Sequence, residues 1–329
     1  MDRAVGILGI GHYVPEKVLT NKDMEQIVET SDQWITERTG IKQRHIAAPE
    51  EATSDLAYNA AMEALKDAGV KAEELDLVIV GTASPDHAFP STACLVQDRI
   101  GAVNAAAFDL TAGCSGFVYS LAVASQMVKT GLYNKILIIG AETLSRIMNW
   151  TDRNTCVLFG DGAGAAVVGP VEEGYGVLGI DMGADGSGGV HLMQPAGGSR
   201  MPASEQTVAD NDHTIHMNGQ EVFKFAIQIM GKTAKNALAK ANMSAEELNM
   251  LFPHQANMRI ITSAAKRLKM PMEKVWVNVN KYANTSAASI PIALCEAQAA
   301  GALKKGDNIL LDGFGAGLTW AAIVLKWSK

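Results

Sequence analysis

The chain carries a second copy of part of itself. AEELDLVIV at 72–80 returns as AEELNMLFP at 245–253 without a gap, which sets the offset between copies at 173 residues, from 72 to 245. The segments ahead of both, MEALKDAGVK and KNALAKANMS, read as helices closing on Gly69 and Asn242, the residue types best suited to a left-handed helix terminus. GILGIG near the start finds its partner in GVLGID at 176–181. Three matches in one order describe a duplicated unit, so two like halves are expected, 1–172 and 173–329. A length of 329 residues also exceeds what a single core usually serves.

Inside each unit, short apolar or β-branched runs alternate with helical ones. The first offers LDLVIVG, AAAFDL, a helix from about Ser115 to Thr130, and KILIIGAE; the second offers ELNMLFPH, VWVNVN, a helix through ALCEAQAAGAL, and DNILLDGFG. That alternation is α/β grammar. Two such units packed with their sheets on a shared helical layer would bring equivalent strand ends together, and active sites form at the carboxyl ends of such strands.

Composition narrows the chemistry. Hydrophobic residues make up 48% and charged residues 19%, which rules against a disordered chain, and a net charge of -7 without a basic run rules against nucleic-acid binding. No apolar run reaches the roughly 18 residues that span a bilayer. The start, MDRAVGILGIGHYVPEK, does not read as a signal peptide, so a cytoplasmic protein is expected. Four scattered cysteines without a CxxC pair suggest neither a zinc site nor a redox dithiol, and no metal is expected. GIGHYVP and GDGAGA lack the remaining residues of a dinucleotide fingerprint and a phosphate loop.

One cysteine stands apart. Cys114 sits in AAAFDLTAGCSGFVYSLAVASQMVKTG, after a strand ending at Leu110 and at the start of a helix with Phe117, Leu121, Ala124 and Val128 on one face. A helix N-terminus favours the thiolate, the nucleophilic form, and Gly113 and Gly116 would permit a sharp turn and close approach of substrate. Cys94 and Cys295 fall in apolar helical runs and Cys156 in an expected buried strand, TCVLFGDGAGA, where each reads as a small hydrophobe. A thiol nucleophile needs polar partners. His254 in LFPHQAN and Asn284 in YANTSAAS both follow expected strands of the second unit, and the Asn284 turn is the repeat counterpart of the Cys114 turn.

The motifs TSDQWITERTGIKQRHIA, HAFPSTAC, NWTDRNTCVLFGDGAGA, FPHQANMRI, NKYANTSAASIPIAL and GFGAGLTW, in this order, resemble the thiolase superfamily and most closely the β-ketoacyl-acyl-carrier-protein synthase III family. The resemblance implies a thiolase-like α/β fold, two duplicated halves in five layers, α-β-α-β-α, and a catalytic triad of Cys114, His254 and Asn284. Elongating ketoacyl synthases carry a second His where Asn284 stands. Thiolases use a second Cys near the C-terminal glycine loop, and hydroxymethylglutaryl-CoA synthases a Glu where this chain has Ala83. Chalcone-type synthases share the triad and differ in the flanking motifs.

By the same resemblance the reaction is a decarboxylative condensation that initiates fatty acid synthesis. Cys114 takes the acyl group of a short acyl-CoA, acetyl-CoA first among them, and malonyl-acyl carrier protein is the second substrate. An oxyanion hole would use the N–H groups of Cys114 and Ala316, where Ala316 requires negative φ or strain. Trp34 and Arg153 would hold the adenine of CoA, Arg38 would contact the nucleotide, and Gly219 and Asn257 would line the pantetheine channel. Phe89 would close the acyl pocket of a second subunit in a homodimer. Lys224, Arg259, Lys266 and Arg267 would dock the acidic carrier protein, the last three from one helix face. No cofactor is implied beyond the CoA thioester substrate. The alternatives are a related synthase or acyltransferase of secondary metabolism, and a hydrolytic thiol enzyme.

Overall fold

The computed structural model describes residues 3–329. In chain order its main elements are β1 (Val5–Tyr13), α1 (Asp32–Thr39), α2 (Thr53–Ala68), β2 (Leu77–Gly81), α3 (Thr92–Arg99), β3 (Ala106–Leu110), α4 (Gly116–Lys129), β4 (Ile136–Glu142) and β5 (Gly162–Pro170). Then follow β6 (Gly176–Ala184), α5 (Gly219–Lys240), β7 (Met250–Pro253), α6 (Met258–Arg267), α7 (Ser289–Ala299), β8 (Asn308–Gly315) and β9 (Thr319–Lys326).

The repeat is visible as topology. The first sheet runs β1-β5-β4-β2-β3 and the second β6-β9-β8-β7. In both, the first two neighbouring pairs are antiparallel and the next is parallel: β1/β5, β5/β4 and β4/β2 against β6/β9, β9/β8 and β8/β7. β3 adds a parallel strand to β2, and its counterpart in the second sheet shrinks to a single bridge, Leu251 to Val275. VWVNVN is therefore not a strand. The side chain of Gln255 satisfies that backbone instead, donating to the Trp276 carbonyl at 3.0 Å and accepting from the N–H groups of Asn278 (2.9 Å) and Val279 (3.1 Å).

The GILGIG/GVLGID match also acquires a cause. A methyl group on Gly9 would lie 2.4 Å from the Ala68 nitrogen at the end of α2, and one on Gly179 would lie 2.3 Å from the Ala237 carbonyl near the end of α5. Each half thus seats the last turn of its outer helix on a side-chain-free point of its edge strand. Those helices close as expected, on Gly69 (φ +63°) and Asn242 (φ +52°).

Five layers result. α4 and α7 lie between the sheets, where Phe117, Leu121, Ile290 and Leu294 pack with Ile79 and Ile138 of one sheet and Leu311 and Ile323 of the other. α2 covers the outer face of the first sheet against Val78, Val80, Leu137 and Ile139; α5 and α6 cover the second against Leu251, Leu310 and Val324. Burial on both faces explains why these strands are continuous hydrophobic runs rather than alternating ones. Two further expectations change. Cys156 ends a short helical turn, Arg153–Cys156, capped by the Asp152 carboxylate, and strand begins only at Gly162; Cys94 lies exposed on α3.

β4 presses directly on the turn before α7. A methyl group on Gly140 would sit 2.2 Å from the Ala287 carbonyl oxygen. Gly140→Ala is expected to destabilise the fold by about 2–3 kcal/mol, because backbone rather than a pliable side chain must yield. The urea midpoint at unchanged m-value measures it.

Candidate active site

Two 3-10 turns face each other in the middle layer. Gly113–Ser115 leads into α4, Ser286–Ala288 leads into α7, and a methyl group on Gly116 would touch the Ala287 Cβ at 3.3 Å. Cys114 lies on the first turn. Gly113 adopts φ +51°, and its added methyl would strike the Ala316 nitrogen at 2.5 Å; Gly116 abuts Gly81 and Ala287. Both glycines make room for protein rather than for substrate, which corrects the reading made from sequence.

Cys114 is half-buried in the wall of a cavity of about 1150 Å³ that also reaches His254, Asn284, Phe314 and Gly315. Burial pushes its thiol up to about 12; a hydrogen bond from Ser286 opposes this, the negative field of Glu142 adds to it, and the N–H of Cys114 opposes it. The helix start therefore does not yield a standing thiolate. Cys114 rests as a protonated thiol.

His254 follows β7 and is fully buried, its N–H donating to the Asp312 carbonyl on β8 at 2.8 Å. Its ring stands edge-on to Phe314 at 5.5 Å, and burial pushes its pKa down to about 3, so the imidazole is neutral. Nδ1 pairs with the Ser289 hydroxyl at 2.7 Å, and that oxygen already accepts the Gln255 N–H at 3.4 Å. The direction of that bond sets the tautomer: with the Ser289 hydroxyl as donor to Nδ1, the ring proton sits on Nε2. Among the described residues Nε2 has no hydrogen-bond partner. In that tautomer Nε2 is a free donor.

Asn284 is 7% exposed and pinned by its backbone between Leu158 and Gly160, at 3.0 Å on each side. The Ser286 N–H donates to its side-chain oxygen at 2.8 Å. A backbone N–H can only donate, so the atom facing it is Oδ1, and Nδ2 is the atom left for the cavity.

The remaining expected positions fall at different depths. A methyl group on Gly315 would lie 2.3 Å from the Cys114 nitrogen, so the β8–β9 loop closes on Cys114 as an oxyanion hole needs. Ala316 is not among the residues of positive φ; the unusual backbone falls on Gly317 at φ +144°, and Ala316 carries no strain there. Trp34, Arg38, Gly219 and Asn257 line the outer cavity. Arg38 and Arg153 lie 4.7 and 5.4 Å from the Trp34 ring; Arg153 donates to the Glu29 carbonyl at 3.0 Å and is not among the residues lining this cavity. Asn257 caps α6 through the Arg259 N–H and donates to the Arg38 carbonyl at 3.0 Å. Phe89 is 86% exposed and outside this chain's cavity. Arg259 covers Phe223 at 5.1 Å, Lys224 pairs with Glu221 at 2.7 Å, and Lys266 and Arg267 are exposed at the end of α6.

Ser286, Ser289, Gln255 and Glu142 also build the site and were not singled out from sequence. Ser289 had one signal: 173 residues before it stands Gly116, the first residue of α4.

Comparison with known proteins identifies the family. The model of the 3-oxoacyl-[acyl-carrier-protein] synthase III family matches residues 108–186, and that of its C-terminal part matches 238–327. A β-ketoacyl-[acyl-carrier-protein] synthase III of Caldanaerobacter subterraneus subsp. tengcongensis is 62% identical, covering 99% of this chain and 98% of its own. The chain belongs to the β-ketoacyl-[acyl-carrier-protein] synthase III family. The solved structure of a member from Aquifex aeolicus VF5 superposes with a TM-score of 0.92 at 48% identity, over 98% of this chain and 100% of that one. The priming β-ketosynthase of the R1128 polyketide pathway superposes at 0.91 with 35% identity, over 99% and 97%. The fold is thus shared with a priming ketosynthase of a polyketide pathway.

Proposed function

We propose that this synthase III joins a short acyl-CoA, acetyl-CoA first among them, to malonyl-acyl carrier protein, releasing carbon dioxide and starting a fatty acid chain. The observation that carries the reading is the pair of unpartnered nitrogens, His254 Nε2 and Asn284 Nδ2, on the cavity that holds the Cys114 thiol; with the ring proton on Nε2 both are donors.

In the first step the Cys114 sulfur attacks the thioester carbonyl, the C–S bond to coenzyme A breaks, and the thiol's proton leaves on coenzyme A. The N–H groups of Cys114 and Ala316 hold the transient oxyanion. In the second, malonyl loses its carboxylate as carbon dioxide, and the enolate oxygen that appears is held by His254 and Asn284, each donor contributing on the order of a hundredfold. The enolate carbon attacks the acyl-enzyme, and the expelled Cys114 thiolate takes a proton from water. Decarboxylation supplies the carbanion, so the chemistry calls for neither metal nor redox cofactor. The two halves divide at residues 172 and 173, the nucleophile on one and both donors on the other.

Trp34, Arg38, Arg153, Gly219 and Asn257 carry coenzyme A from adenine to pantetheine. The edge strand β3 and its neighbourhood leave Phe108, Val103 (75%) and Phe89 exposed, and a free sheet edge with apolar cover supports a homodimer in which Phe89 closes the partner's acyl pocket. All four cysteines are free thiols, which fits a cytoplasmic enzyme. No described helix is long and apolar enough to cross a membrane.

Mass spectrometry of Cys114 after incubation with acetyl-CoA, followed by malonyl-acyl carrier protein, tests the reading. A 3-ketoacyl product supports it; free acid alone returns the hydrolytic alternative, and a preference for other primers points to secondary metabolism. Lys224, Arg259, Lys266 and Arg267 form the carrier-protein surface in this reading. Arg259→Glu should lower kcat/KM for malonyl-carrier protein about tenfold, with less effect as salt rises, while acylation by acetyl-CoA is unchanged.

A further inference from the structure

A second pocket, of about 350 Å³, lies where the last turns of α5 and α6 come together. Leu238, Met243 and Leu268 form its floor, and Lys235, Arg267 and Lys269 stand around it. The two leucines are buried, while the three cations and Ala239 are exposed. An apolar floor inside a ring of positive charge suits a partner that is apolar at one point and acidic around it. None of these residues lines the cavity that holds Cys114.

The cations at this pocket are unspent. On α5 Lys224 pairs with Glu221 at 2.7 Å and Lys240 with Asp181 at 2.9 Å, and beyond α6 Lys274 donates to the Leu248 carbonyl at 2.9 Å. Among the described residues Lys235, Arg267 and Lys269 have neither an ion pair nor a hydrogen bond at their charged ends, although the chain carries a net charge of -7. Glu246 feels the charge of Lys269 without pairing with it. Packing fixes the Arg267 stem: a methyl group on Gly231 of α5 would lie 2.8 Å from its Cβ and 2.6 Å from its Cδ, so the stem runs along that helix and its head stays in water. Backbone fixes Lys269. The Met270 N–H bonds the Ala265 carbonyl at 2.9 Å to close α6, and Lys269 between them takes φ +54°. Five of the other main helices close beside a glycine of positive φ, at Gly40, Gly69, Gly101, Gly131 and Gly301, and α5 closes on Asn242. A lysine in this conformation is strained, and strain persists where another role offsets it.

We propose that this pocket is a second anchor for the acidic carrier protein: Lys235, Arg267 and Lys269 pair with acids on one helix of the partner, and an apolar side chain of that helix enters between Leu238, Met243 and Leu268. The proposal rests on the reading that malonyl-acyl carrier protein is the second substrate. Charge complementarity favours this occupant, and so does continuity with Arg259 and Lys266. Arg259 and Lys269 are ten residues apart, which is about 15 Å along α6 and its cap. A partner helix of about 11–12 residues covers that length. Because the pocket is separate from the chemistry, it should act on the affinity for the carrier protein and leave acylation by coenzyme A thioesters alone.

Binding of fluorescently labelled carrier protein to the full-length enzyme at low salt, followed by anisotropy, tests the anchor together with KM for malonyl-carrier protein. Lys235→Glu should weaken binding and raise that KM about tenfold. Ala239→Trp, which fills the pocket from an exposed helix position, should do so about fivefold. Acylation of Cys114 by acetyl-CoA should be unchanged in both. Lys269→Gly should weaken binding about threefold while raising the urea midpoint, because glycine relieves the left-handed strain. Unchanged binding and KM in Lys235→Glu and Ala239→Trp overturn the proposal, as does a matching loss of acylation by acetyl-CoA. A lower urea midpoint for Lys269→Gly would make that lysine a structural residue and refute its part in the anchor. If the variants bind carrier protein normally and octanoate protects Lys235 from acetylation by acetic anhydride, the pocket holds a small amphiphilic anion, which also refutes the proposal. Failure of the wild-type enzyme to bind carrier protein would instead remove the proposed second substrate, whereas wild-type binding with indifferent variants removes the anchor alone.

Discussion

Asn284→Ala is expected to lower condensation with malonyl-carrier protein about a hundredfold or more while Cys114 still accepts an acetyl group from acetyl-CoA. Enolate formation concentrates negative charge on one oxygen, and Nδ2 is the donor that Asn284 leaves to the cavity beside Cys114. Acylation draws on other groups, the N–H pair of Cys114 and Ala316. The substitution leaves the backbone of position 284 tied to Leu158 and Gly160, so the turn carrying Ser286 stays in place. Acylation is followed by mass spectrometry and decarboxylation by carbon dioxide release. Loss of both together would refute this division of roles between oxyanion hole and enolate site.

What could be read from sequence followed from what is local or repeated. The recurrence of AEEL with an apolar run forecast two like sheets because the same residues meet the same packing: a capping turn, then a strand buried on both faces. That Cys114, His254 and Asn284 would line one cavity was legible because each follows an element whose end is marked in sequence. The misreadings have long-range causes. VWVNVN has the composition of a strand, yet Gln255, about twenty residues earlier, takes its backbone bonds, and no local pattern encodes that. Cys114 looked like a thiolate because a helix start is a local feature, whereas the burial that opposes it exists only in the folded chain. Glu142 was invisible for the same reason: GAE ends an ordinary apolar strand, and its neighbours Ser84 and Ser286 are 58 and 144 residues away, on either side of it in the chain.

His254→Ala should also lower condensation about a hundredfold, and it should change how stability responds to acid. An unfolded histidine titrates near 6.5, whereas burial holds His254 down to about 3. The unfolded chain then binds the proton more readily, so folding is at full strength above about pH 6.5 and weakens as pH falls from there towards 3. At pH 5 this one residue should cost the wild type about 2 kcal/mol relative to pH 7, from about 1.4 kcal/mol per unit. The Ala variant begins less stable, because it loses ring packing against Phe314 and the bond to Ser289. It has no such proton to exclude. Urea unfolding at both pH values should therefore show the stability gap between wild type and variant narrowing by about 2 kcal/mol on acidification. A gap that stays constant would mean that the ring is already charged or reached by water in the folded enzyme, and a charged ring beside the enolate would turn His254 from a neutral donor into an ion-pair partner, with a correspondingly different pH dependence of condensation.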